Sequence, residues 1–176
     1  DASSRFAPEH RWGNFWSVGA AWDIKSESFM DAADKVDLLK LKVSYGSQGN
    51  DGLDNYHVWS DLYTVSENNG TFATSLAYKG NRDLTWETSY NFNGGLDFAF
   101  FNERLGGTIE GWRRRTEDML YYRPVPNSLG YAYLPVNIGS LSNAGLDVEI
   151  HGDVIKTNNV TWSLYLNMSY FKNRII

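Results

Sequence analysis

At 176 residues the chain is long enough for one domain, or for one piece of a larger one, and 16 Lys and Arg against 21 Asp and Glu leave it at a formal charge of −5. That balance argues against a nucleic-acid partner, because no basic stripe is large enough to neutralise a phosphate backbone. Cysteine is absent, which removes a disulfide framework, a thiolate nucleophile and a zinc knuckle, while 7 Trp, 11 Tyr, 9 Phe and 16 Gly against 4 Pro favour strands joined by tight turns.

The opening "DASSRFAPEH" has no apolar core, so it reads as the start of a mature or excised segment rather than a signal peptide. The first strand falls at 13–24, where "NFWSVGAAWDI" sets Trp16, Val18, Ala20, Trp22 and Ile24 on one parity. In the link "KSESFMDAADKVD", Ser26 or Ser28 is placed to cap a brief helix, and Asp31, Asp34 and Asp37 read as solvated. "LLKLKVSYG" then sets Leu39, Leu41, Val43 and Tyr45 against Lys40, Lys42 and Ser44, a strand at 38–46. Residues 47–82 form a long loop rich in Gly, Asn and Tyr. Gly46, Gly49 and Gly52 at its root suit turns better than a phosphate cradle, since no helical period follows them.

The most regular stretch is "LTWETSYNFNGGLDFAF", an alternating run of 17 residues within a strand at 83–101. "LGGTIEGWRRRTEDMLYY" gives a strand at 104–122 whose orientation stays open, because Ile109 and Trp112 fall on opposite parities. Arg113, Arg114 and Arg115 in it can pair with Glu110, Glu117 and Asp118 or face lipid headgroups. A second long loop follows at 123–135. The last two strands lie at 136–152, with Leu146, Val148 and Ile150 against Asp147, Glu149 and His151, and at 159–173, with Trp162, Leu164, Leu166, Met168 and Tyr170 together.

Strands of soluble sheets average about five or six residues, and crossing a bilayer at a tilt takes about 9–11. Long strands joined alternately by short turns and long loops are the habit of a transmembrane β-barrel. On that reading Trp16, Val18, Trp22, Leu39, Leu41, Trp86, Leu96, Phe98, Trp162, Leu164 and Leu166 face lipid, and the opposite parity, with Glu87, Asn91, Asn93 and Asp97, lines a lumen. Aromatic girdles agree: Trp22, Phe98, Phe100 and Trp162 near the short turns, Tyr45, Trp86 and Tyr170 nearer the long loops. The alternative is a soluble all-β glycan-binding module, in which Trp16, Trp22, Trp86 and Trp162 are buried against a second sheet. His10, His57 and His151 lack metal-ligand spacing, and no nucleophile stands beside a base, so no metal, cofactor or catalytic residue is expected.

Four blocks, "LKxxxSYGxxGN" from Leu39, "LxWExxxxxNxGxD" from Leu84, "RxxTxDML" from Arg113 and "NxGxxxNxGxxxE" from Asn137, resemble in order and spacing the barrel strands of the SusC/RagA family of TonB-dependent outer-membrane transporters. The resemblance covers nearly the whole chain. It implies an all-β, antiparallel, up-and-down segment of six strands in a barrel of about 22 strands closed around an N-terminal plug. It also implies uptake of oligosaccharides, peptides or similar nutrients through TonB, with a SusD-like surface lipoprotein over the outer mouth. The plug, the TonB box and an aromatic-terminated closing strand have no counterpart here, so the expectation is a mid-to-late barrel segment of a longer protein. In that setting Tyr56, Trp59, Tyr63, Tyr121, Tyr122, Tyr131 and Tyr133 lie at the extracellular mouth, where flat rings with polar tips suit a sugar or peptide, or pack the loops and the lipoprotein.

Overall fold

The computed structural model describes residues 1–176, Asn68 through its backbone only. Its main element is one six-stranded antiparallel sheet in chain order, built from β1 (Ser17–Asp23), β2 (Val36–Asn50), β5 (Glu87–Phe100), β6 (Leu105–Glu117), β9 (Leu141–Lys156) and β10 (Thr161–Ile175). All six expected strands form. Two hairpins stand apart from that sheet: β3 (Leu62–Asn68) with β4 (Thr71–Tyr78), inside the expected loop 47–82, and β7 (Leu120–Pro124) with β8 (Tyr133–Asn137), which flank the expected loop 123–135 and take residues from the expected strands on either side. The expected strand 104–122 is therefore two strands, parted by a left-handed Asp118 (φ 54).

The connections alternate as expected. Residues 101–104 and 157–160 are tight turns, and 24–35 hold two 3-10 turns, Ile24–Ser26 and Ser28–Met30. Neither 3-10 turn has a side-chain cap, so the serine cap expected there does not form; Lys25 instead donates its Nζ to the carbonyls of Met30 and Ala33.

Register propagates the two parities across all six strands. One row runs Trp22, Leu41, Leu96, Ile109, Val148 and Met168, and the next runs Ala20, Val43, Gly94, Gly111, Leu146 and Tyr170. This settles β6: Ile109 belongs to the apolar face and Trp112 to the polar one. The rings and chains of the apolar face stay open, with Trp16 51%, Trp22 48%, Trp162 53% and Leu164 58% exposed. No second sheet covers them among the described residues, which is contrary to the soluble sandwich.

The buried residues lie elsewhere, at the long-loop end. Phe6, Leu53, Val58 and Leu84 form a small core beside Tyr78, Trp86, Leu120 and Tyr122. The N-terminal segment enters this core through Phe6 and Phe15, whose rings lie 5.4 and 5.2 Å from Trp86. Phe15 also lies across Gly49, where a Cβ would collide with its ring. Trp86 thus departs from the lipid-facing expectation. It precedes β5, is half-buried between Phe6 and Phe15, and donates its indole N–H to the Arg11 carbonyl at 3.1 Å. The parity rule fails there because the strand has ended.

Candidate functional site

The polar face of the sheet is built in rows, each residue on the strand beside its register partner. The upper row, nearest the long loops, is Asn91, Arg114, Asn143 and Asn173; directly below it run Asn93, Trp112, Gly145 and Phe171. All of these but Gly145 line a hollow of about 520 Å³, which Arg113 also borders as the strand residue between Trp112 and Arg114. A row of amides and one guanidinium thus stands over a row containing two aromatic rings.

Three of these side chains are oriented by a neighbour. Arg114 donates from Nε to Asn91 Oδ1 at 2.7 Å, Trp112 from Nε1 to Asp147 Oδ2 at 2.7 Å, and Asn93 from Nδ2 to Ser44 Oγ at 3.3 Å. The Trp112 ring has room because its register partner is Gly145, where a Cβ would come within 2.6 Å of the ring. Such held rings and amides can stack on flat or ring-shaped groups and exchange hydrogen bonds with amides or hydroxyls. Below them the face turns charged. Glu110, Asp147 and Glu149 share it with Asp97, which pairs with Lys42 at 2.8 Å and accepts from Thr108 at 3.0 Å.

Of the four inward candidates, Asn91 and Asn93 fall in the hollow, Asp97 lies lower in its ion pair, and Glu87 is engaged in holding the loops. Its two oxygens accept from Asn50 Nδ2 at 3.1 Å and from the Leu120 amide at 3.0 Å. Trp112, Arg114, Asn143, Phe171 and Asn173 were not expected there. For Trp112 and Arg114 the missing signal was the parity of β6, which only its pairing with β5 and β9 supplies.

The loop aromatics divide as well. Tyr122, Tyr131 and Tyr133 meet Tyr78 around a second hollow of about 480 Å³, with Asp54 and Asn55 at its side. The Tyr78 hydroxyl is buried without a hydrogen-bond partner among the described residues, and burial pushes its pKa up. Tyr56 and Trp59 lie apart under the guanidinium groups of Arg5 (4.8 Å) and Arg82 (5.7 Å), while Tyr63 and Tyr121 are exposed. The base of the β3–β4 hairpin is clasped by Lys79, whose ammonium reaches Asp61 at 2.8 Å while the Gly80 amide donates to the same carboxylate at 2.9 Å. Those bonds, the ammonium's first, hold Asp61 below the usual carboxylate range, and Asp61 in turn raises Lys79.

No group of three or more His, Asp or Glu side chains suited to a metal ion occurs among the described residues.

The resembling blocks now have physical roles. In "NxGxxxNxG", Asn137 clamps Thr85 by accepting from its amide and donating to its carbonyl, both at 2.9 Å, and also donates to the Asp118 carbonyl at 2.8 Å. Gly139 turns the chain at φ 77, Asn143 enters the hollow, and Gly145 admits Trp112.

An open antiparallel wall, apolar on one face and polar on the other, with short turns at one end and structured loops at the other, is a stretch of outer-membrane β-barrel. The sequence pattern of the family described as "TonB dependent receptor-like, beta-barrel" matches residues 1–175, and the chain belongs to that family. It is 33% identical over its whole length to TonB-dependent receptor P39 of Formosa agariphila and 34% identical over 99% of its length to TonB-dependent receptor SusC of Bacteroides thetaiotaomicron. Among solved structures it superposes on the RagAB peptide importer in its closed-closed state with a TM-score of 0.89 at 31% identity over 99% of the chain, and in its open-open state with 0.85 at 31% over 98%. The chain spans 17% and 18% of those two relatives and 19% of the RagAB chain.

Proposed function

We propose that this chain is part of the wall of a TonB-dependent importer that carries an oligosaccharide, a peptide or a similar nutrient across the outer membrane without chemical change. The observation that carries the reading is the lumenal platform: Trp112 and Phe171 beneath the row of Asn91, Arg114, Asn143 and Asn173. On this reading the remaining strands of a barrel of about 22, the plug and the TonB box belong to the rest of a longer protein. TonB acts on the plug from the periplasmic side, and a SusD-like lipoprotein closes over the hairpins 62–78 and 120–137.

Nutrient captured at the mouth meets the tyrosine-lined hollow of Tyr78, Tyr122, Tyr131 and Tyr133 before it reaches the lumen. When the plug is displaced it passes over the amide and aromatic rows, which exchange water for ligand hydrogen bonds at small net cost, and then over the acidic rows. The likeness to the RagAB peptide importer supports a peptide as one nutrient to test, and that to SusC supports membership of the same transporter type.

The test is uptake of labelled peptides and labelled oligosaccharides by cells carrying the full-length protein. Uptake of at least one class is expected to stop when a proton uncoupler is added and to fall in the Trp112→Ala/Arg114→Gln variant, with the barrel still in the membrane. Uptake insensitive to both overturns the proposal.

A further inference from the structure

Among the described residues, the paired strands of the apolar face carry charge only towards their long-loop ends. Following the register upward from the short-turn end, no charged side chain interrupts it until two rows near the long loops. In the first, Phe92, Arg113, Ala144 and Lys172 lie side by side; in the second, Tyr90, Arg115, Ser142 and Arg174 do. Four cations thus stand on two strands either side of β9, which offers only Ala144 and Ser142 between them. All four are exposed. Arg115 pairs with Glu117 at 2.8 Å, whereas Arg113, Lys172 and Arg174 make no ion pair among the described residues. Arg113, Arg115, Tyr90 and Phe92 bound a shallow hollow of about 590 Å³ that Tyr45 closes on one side, with the Glu117 carboxylate, held by Arg115, also at its edge.

Height decides what reaches them. With a rise of about 3.4 Å per residue and a tilt of about 40°, Lys172 stands roughly 26 Å above Trp162 along the barrel axis, which matches an apolar band about 25 Å tall. Leu164, Leu166, Met168 and Tyr170 fill the interval. The cations therefore sit where the outer leaflet's headgroups begin, with the apolar wall directly below for acyl chains.

Unpaired cations there would face solvent on a soluble protein; beside a leaflet they attract anionic headgroups. Arg offers two parallel donors that fit a phosphate, and Lys a point charge. We propose that Arg113, Arg115, Lys172 and Arg174 form a site on the outside of the barrel for the phosphate of a phosphorylated outer-leaflet lipid, its chains lying along Phe92, Leu146 and Tyr170. Arg114, one residue from Arg113 and Arg115, faces the lumen and takes no part.

The experiment uses the full-length protein in mild detergent, stripped of lipid and titrated with lipid A, with bound lipid counted by native mass spectrometry. At roughly fivefold per cation near a membrane surface, Arg113→Gln/Lys172→Gln is expected to weaken binding about thirtyfold, while Arg114→Gln leaves it unchanged. Arg113→Lys/Lys172→Arg keeps most of it, and dephosphorylated lipid A binds no better to wild type than to the double variant. Should the double variant fail to assemble, wild-type binding must still weaken as ionic strength rises. Equal binding by wild type and the double variant overturns the proposal, as does binding indifferent to salt. Displacement by inorganic phosphate as effective as by lipid A marks a soluble-anion site instead, and a lipid-free pair of copies that the double variant splits marks an interface; either result overturns it.

Discussion

Replacing Leu166 by Arg tests which face meets lipid. Leu166 sits on β10 between Trp162 at the short-turn girdle and Lys172 at the basic rows, with Ile150 beside it in register and Gly107 beyond. Four residues above Trp162, it lies about 10 Å up a band of about 25 Å, close to the bilayer midplane. A guanidinium at that depth costs about 2–4 kcal/mol, which shifts the folded-to-unfolded ratio by roughly 30- to 900-fold. Asn167 is the next residue on the same strand, and its register partner is Glu149 on the polar face. An Arg there finds a carboxylate and water, so Asn167→Arg is expected to change stability by no more than about 1 kcal/mol. Denaturant unfolding of the full-length barrel refolded into phosphatidylcholine vesicles measures both variants. If Asn167→Arg destabilises more than Leu166→Arg, the assignment of faces is inverted and the lumenal platform falls with it.

Phe6→Ala removes the largest side chain of the loop core, where Phe6 is 0% exposed, and should cost about 3–5 kcal/mol locally, seen as faster protease nicking of residues 51–61 with the membrane strands intact. Gly145→Val sets a side chain against the Trp112 ring and within 2.9 Å of the Tyr170 carbonyl, so it should reduce nutrient uptake and lower the denaturant midpoint of the barrel, whereas Gly111→Ala, which meets nothing within 4 Å, serves as its silent control. The Asp61–Lys79 clasp predicts a pH window for the β3–β4 hairpin. The depressed Asp61 contributes fully above the ordinary aspartate pKa and loses its contribution as pH falls through its lowered value. The raised Lys79 contributes fully below the ordinary lysine pKa and loses its contribution as pH rises through its elevated value. Protease resistance of the hairpin should hold across that window and drop at acid pH in wild type; a Asp61→Asn variant with the same acid response would refute the assignment.

The two hairpins show how far a local reading reaches. Asn69 and Gly70 both have positive φ, 51 and 76, as the two central residues of a type I′ hairpin turn require, and "NG" between alternating residues is a strong short-range sign of it. That signal lies within the residues 47–82 that composition marks as a long loop. The β7–β8 hairpin carried less: its ends are set by Asn137 clamping Thr85 and by Glu87 receiving the Leu120 amide, partners 52 and 33 residues away. The loop core is similar. Phe6, Leu53, Val58 and Leu84 follow no common period, so nothing local says that they meet.

What the sequence by itself determined is the pair of faces on β1, β2, β5, β9 and β10, one apolar and one polar. Alternation with period two is a property of each strand's own backbone, and it needs no neighbour to be read. Tertiary structure alone decided the face of β6, where Ile109 and Trp112 send conflicting signals until β5 and β9 fix the register. It decided in the same step that Trp112 and Arg114 share the polar face while Arg113 and Arg115 share the apolar one. It also took Trp86 out of the wall, because Phe6 and Phe15 cover that ring from a segment some 75 residues away in the chain. Contacts between distant segments depend on where register brings each strand end, and no window along the chain contains that information.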